Sequence, residues 1–132
     1  MTALKQNRSL RAASFTVAVS DYFCLQDEHF AGGNALNQAV HYSQSGIDSA
    51  FVGAIGNDLP GKRLAALLDA HGVDTSHLYR MAGETARNSI RNDETGERFG
   101  VEGSWQGGVY ESFKLSEDDW AFLAGFDIWS TH

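Results

Sequence analysis

Apolar positions along this chain alternate between short β-branched runs and longer stretches at helical spacing. Residues 14–19 (SFTVAV) are short, β-branched and apolar, and predict a buried first strand. Asp21 stands just past its end, and residues 22–30, a mixture of aromatics and acids, read as an extended excursion toward Gly32 and Gly33. From 34 to 45, Leu36, Ala39, Val40 and Ser43 recur at helical spacing and Gly46 supplies the stop. The compact apolar run 47–55 between glycines suits an interior parallel strand. In the next segment Asp58 is placed to cap a helix, Pro60 suits its first turn, and Leu64, Leu67 and Leu68 form one stripe before Gly72. Strand, helix, strand, helix is the α/β pattern.

After residue 73 the character changes. Segments 78–80, 86–91 and 98–101 read as short, half-exposed strands that form a small sheet of their own, with Asp93-Glu94-Thr95-Gly96 as a hairpin turn. Ser116 with Asp119 three residues on is an N-cap signature, and Trp120 and Leu123 make the helix behind it amphipathic. Residues 126–129 begin another apolar strand.

Composition narrows the picture. With 132 residues, 42% hydrophobic and 20% charged, the chain suits one core and one domain. The net charge of -7 and ten scattered basic residues argue against a nucleic-acid partner, which needs clustered Lys and Arg. No apolar run approaches the roughly 20 residues of a membrane span. Residues 1–11 lack the apolar stretch of a signal peptide, so a cytoplasmic location is expected. Cys24 reads as a small apolar side chain, and no Cys/His spacing suggests zinc. His29, His41, His71 and His77 show no paired carboxylate or metal spacing, and Trp105, Trp120 and Trp129 read as core or interface.

The candidate chemistry lies in Gly32-Gly33-Asn34-Ala35-Leu36-Asn37-Gln38-Ala39 and in the second glycine loop, Gly56-Asn57-Asp58 with Gly61. Paired glycines let backbone N–H groups approach a ligand, and the following helix aims its positive end at an oxygen-rich group. Asn37 lies one turn into that helix, where its amide can both donate to and accept from a hydroxyl. That combination suits a sugar.

The run GGNALNQAV with Gly46 and Gly56, followed by GNDLPGKRLAALLDAHGVDTSHL, resembles the first signature of the ribokinase-like (PfkB) carbohydrate kinases and the segment after it. The tail FKLSEDDWAFLAGFDIWSTH, the Thr85-Ala86 pair and Arg98-Phe99-Gly100 are most similar to the fructoselysine 6-kinase branch. The resemblance implies an α/β fold, a partial ribokinase-like (Rossmann-like) sandwich with a small β-sheet lid. Residues 1–13 would be a poorly ordered leader, and 14–132 the N-terminal part of a kinase domain with lid strands within 22–30 and 77–101. Carried over by motif, the sugar ligands are Asp21, Gly32, Gly33 and Asn37; Arg87, Asn88 and Arg91 lie on a lid strand without an assigned role. Where the family usually has Gly followed by an acid at the end of the first strand, this chain has Thr16 and Val17.

The resemblance further implies ATP and Mg²⁺ as cofactors, transfer of the γ-phosphoryl to a primary hydroxyl of a sugar or fructosamine, and a possible homodimer through the lid. The family's Gly-Ala-Gly-Asp motif with its catalytic aspartate does not occur in these residues, nor does a GxxxxGK[ST] phosphate loop. The expectation is therefore the N-terminal part of an ATP-dependent carbohydrate kinase, inactive alone. The alternative is a non-catalytic sugar-binding or dimerising protein.

Overall fold

The computed structural model describes residues 10–131 apart from 27, 33, 93 and 102. Two four-stranded sheets organise it. The main sheet has the order β5 (Leu78–Met81), β4 (Asp48–Gly56), β1 (Arg11–Thr16), β8 (Ile128–Thr131), with every pairing parallel. After Asp48 every residue of β4 is buried, because helices cover both faces of the sheet and no polar face is left.

On one face, α1 (Asn34–Gln44) and α2 (Leu59–Ala70) pack Leu36, Ala39, Leu64 and Leu68 against Phe51 and Ile55. On the other, α3 (Glu117–Leu123) sets Leu123 against Ala13, Phe15 and Val52. Phe51 and Val52 thus point into different layers, as strand alternation requires. The helix ends follow their local signals. Gly46 and Gly72 adopt positive φ (80° and 70°) just beyond α1 and α2. Asp58 accepts from Gly61 N–H at 3.0 Å, and Ser116 and Asp119 form a reciprocal capping box.

The second sheet has the order β3 (Glu28–Gly32), β2 (Val19–Phe23), β6 (Ala86–Asn92), β7 (Arg98–Gly100). Its centre, β2 against β6, is parallel, and both flanks are antiparallel. The hairpin between β6 and β7 carries Gly96 at φ 85°; Asp93, its expected first residue, lies outside the described residues.

Three expectations need correction. The first strand runs from Arg11 to Thr16 rather than 14–19, so Arg11, Ala12 and Ala13 belong to β1 and not to a leader. Its start is fixed from a distance: Arg11 N–H donates to Asp127 Oδ2 at 2.9 Å, and the guanidinium donates to the Gly125 carbonyl and lies 4.3 Å over the Phe126 ring. Residues 1–9 lie outside the described residues. Next, Asp21 does not merely follow the end of the first strand but lies within a second one, β2, because the chain breaks at Thr16 (φ 100°) and re-enters a strand at Val19. Finally, 78–80 does not join the small sheet. Leu78 pairs with Gly53, making β5 an edge of the main sheet.

Candidate functional site

A cleft of about 410 Å³ opens between the small sheet and α1, lined by Asp21, Phe23, Gln26, Phe30, Asn37, Asn92 and Arg98. All of these except Gln26 have a backbone reason for their place. Asp21 and Phe23 lie two apart on β2 and share a face, and Phe30 on β3 is the register partner of Asp21. Asn88 pairs with Asp21 on the other side, so alternation along β6 carries Asn92 to the same face, opposite Arg98 on β7. Asn37 comes from the first turn of α1, which holds no acidic residue to offset its positive end.

Gly32 enters the geometry through what it lacks. A Cβ there would lie 2.6 Å from Asp21 Cγ, so only glycine leaves the carboxylate its position. Asp21, Gly32 and Asn37 are therefore brought together, while Gly33 lies outside the described residues. Burial pushes the Asp21 carboxyl above its ordinary range, and the nearby Arg98 charge only partly pulls it back. Phe23 and Phe30 meet edge to face at 5.2 Å, and the Arg98 guanidinium lies 5.3 Å over the Phe23 ring.

The second glycine loop has a different task. Asp58 accepts from Thr85 Oγ1 (2.6 Å) and Thr85 N–H (2.8 Å), Thr85 Oγ1 accepts from Gly56 N–H (2.9 Å), and Asn57 accepts from Gly83 N–H (3.1 Å). Burial raises the Asp58 carboxyl, but these bonds from Thr85 together with that from Gly61 outweigh it and hold it below its ordinary range. This knot ties the start of β6 to the start of α2. Arg87 and Arg91 stand outside the cleft. Arg87 bonds Gln106 at 2.9 Å beside a cavity shared with Ser20 and Asp58, and Arg91 lines a third cavity with Leu25 and Phe99.

His77 corrects the reading that it lacks a paired carboxylate. Its Nδ1 lies 2.8 Å from Asp119 Oδ1, and Tyr79 donates to the same oxygen at 2.5 Å. Burial pushes the Asp119 carboxyl up, yet the bonds from Tyr79, His77 and Ser116 together hold it at about 2. The bond to Asp119 in turn pushes the Tyr79 hydroxyl up to about 12.

Sequence reasoning missed Phe23, Gln26, Phe30, Asn92 and Arg98 as cleft residues. The available signal was the hairpin register, which sets Asn92 across from Arg98.

A helix-covered parallel sheet with a second small sheet and a polar cleft beside it is an α/β arrangement, and the family comparison gives its class. Residues 14–130 match the model for the pfkB family of carbohydrate kinases, and the chain belongs to that family. It is 35% identical over 108 residues to fructoselysine 6-kinase of Escherichia coli (strain K12), covering 82% of this chain and 40% of that protein. It is 32% identical over 115 residues to fructosamine kinase FrlD of Bacillus subtilis (strain 168), covering 86% and 40%. The chain thus spans about 40% of the length of these relatives and resembles their N-terminal portion. Arabidopsis thaliana ribokinase, solved with ribose and ATP, superposes with a TM-score of 0.78 at 19% identity over 94% of this chain and 45% of its own. That likeness shows the ribokinase-like α/β fold. Among the described residues no helix is long and apolar enough to cross a membrane.

Proposed function

We propose that this chain carries the sugar-binding side of an ATP-dependent kinase whose substrate is a fructosamine of the fructoselysine type. The observation behind this reading is the convergence of Asp21 and Asn37 on one cleft, with Gly32 against the Asp21 carboxylate. A carboxylate and a carboxamide there accept from and donate to vicinal hydroxyls and so orient a sugar. Gly33 completes the motif in this reading. Closure of β2, β3, β6 and β7 over the substrate would exclude water and keep the phosphoryl group from hydrolysis.

ATP and Mg²⁺ supply the phosphoryl group and its charge neutralisation in such reactions. The residues present do not fit them. Among the described residues no cluster of three or more His, Cys, Asp or Glu can hold a metal ion, and the sequence has no phosphate loop. We assign nucleotide binding and hydroxyl activation to the remainder of a longer kinase, and this chain alone to binding without turnover in the cytoplasm. The exposed edge strand β7, with Phe99 half-exposed, favours a homodimer through the lid as a companion reading.

Calorimetry of the 132-residue chain with fructoselysine, in parallel with a coupled ADP assay, tests both parts. Saturable binding with no ADP release is expected. Absence of binding overturns the substrate reading, and fructoselysine-dependent ADP release overturns the division of labour.

A further inference from the structure

The cleft offers more recognition groups than a neutral sugar uses. Arg98 is a permanent cation on the wall facing Asp21, held at a defined height over Phe23. Asn92, its register partner, has a buried Oδ1 with no hydrogen-bond partner, an acceptor in want of a donor. The rings of Phe23, buried beneath Arg98, and of Phe30, exposed beside Asp21, line the same cleft, and Phe30 offers an apolar face suited to a methylene chain.

The bland use of Arg98 is to neutralise Asp21. A close, bidentate pair would hold that carboxyl below its ordinary range, whereas burial wins and it stands above. Among the described residues no ion pair within 4 Å joins Arg98 to Asp21, which leaves the guanidinium over Phe23 able to meet a ligand anion.

We propose that Arg98 and Asn92 are the specificity-determining pair that reads an amino-acid end of the substrate, Arg98 binding its carboxylate and Asn92 Oδ1 accepting from its ammonium. This rests on the fructosamine reading above and narrows it. The substrate is a ketosamine with a free amino-acid terminus, whose sugar lies on Asp21 and Asn37 and whose methylenes cross Phe30. At about 410 Å³ the cleft falls in the size range that takes such extended ligands whole. A phosphate is the other anion Arg98 would attract. It is disfavoured because a dianion asks for more cationic partners than the single arginine lining this cleft.

The test is calorimetry of the 132-residue chain with four ligands: fructoselysine, its decarboxylated analogue (fructosylated 1,5-diaminopentane), fructose, and fructose 1-phosphate. Loss of the carboxylate is expected to weaken binding on the order of ten-fold or more. R98Q is expected to weaken fructoselysine by a similar factor and leave the decarboxylated analogue unchanged. Equal binding of fructoselysine and its decarboxylated analogue by the unmodified chain overturns the proposal, whatever the variant does. Fructose binding as tightly as fructoselysine, or fructose 1-phosphate matching it, also overturns it while the sugar site stands. Failure of every ligand to bind removes the fructosamine reading itself.

Discussion

Replacing Thr16 with glycine is expected to stabilise the chain. Thr16 ends β1 with φ at 100° and is the single non-glycine with positive φ among the described residues. A β-branched side chain there is a steric outlier, and such positions store about 1–3 kcal/mol. Glycine relieves the clash but loses more conformational freedom on folding, about 0.5–1 kcal/mol. The threonine hydroxyl returns little, since its contact to Thr131 Oγ1 is 3.4 Å long and exposed. The balance favours Thr16→Gly by up to about 2.5 kcal/mol, with about 1 as the central value, and each 1 kcal/mol moves Tm by about 3–5 °C in a chain of this length. Urea unfolding reads it as a raised midpoint with an unchanged m-value. Thr16→Ala keeps the Cβ that suffers at this φ and should recover less than half the gain. A Thr16→Gly midpoint at or below that of the unmodified chain would refute the strain argument.

Two further outcomes follow from the geometry. Asp119 has a folded pKa of about 2 against an ordinary 3.8, so the folded chain binds its proton less readily than the unfolded chain. Its contribution, of order 2 kcal/mol, is complete above about pH 4 and lost as pH falls through 2. Denaturant midpoints across that window should fall more steeply in the unmodified chain than in Asp119→Asn; parallel curves would exclude the network, and phenolate absorbance should show Tyr79 ionising at lower pH in the variant. Gly32→Ala puts a methyl against Asp21, a flexible side chain that can swing away, so stability should change by less than about 1 kcal/mol while fructoselysine affinity falls more than ten-fold. Calorimetry and a thermal melt read the two together, and unaltered affinity would show that the carboxylate position is immaterial.

What the sequence made legible was local. The stop of α1 at Gly46, the Asp58 cap, the Leu64 and Leu68 stripe and the capping box at Ser116 each depend on neighbours within a turn, and each stands in the structure. What it hid was set by partners far along the chain. Arg11 starts β1 because Asp127 and Gly125 receive it, and β5 belongs to the main sheet because Gly53 pairs with Leu78. The half-exposed pattern of residues 78–80 is equally that of an edge strand in either sheet, so composition had no means to choose. At the site, motif resemblance pointed to Asp21, Gly32 and Asn37. Asn92 and Arg98 belong to no local motif and emerge only from the pairing of β6 with β7 and of β6 with β2.

Asp21 rides on β2 of the small sheet, whereas Asn37 is anchored on α1, which packs on the main sheet. A molecule touching both is a strut between two bodies that are also tied by chain crossings, by packing of α1 and α2 against β3 and of α2 against β2, and by the Asp58–Thr85 knot. Its measured dissociation constant then reports more than contact quality, because it is divided by the fraction of time the bodies stand close enough to share it. Mutations in the knot, remote from every hydroxyl, should therefore tune affinity by changing how often the jaws meet.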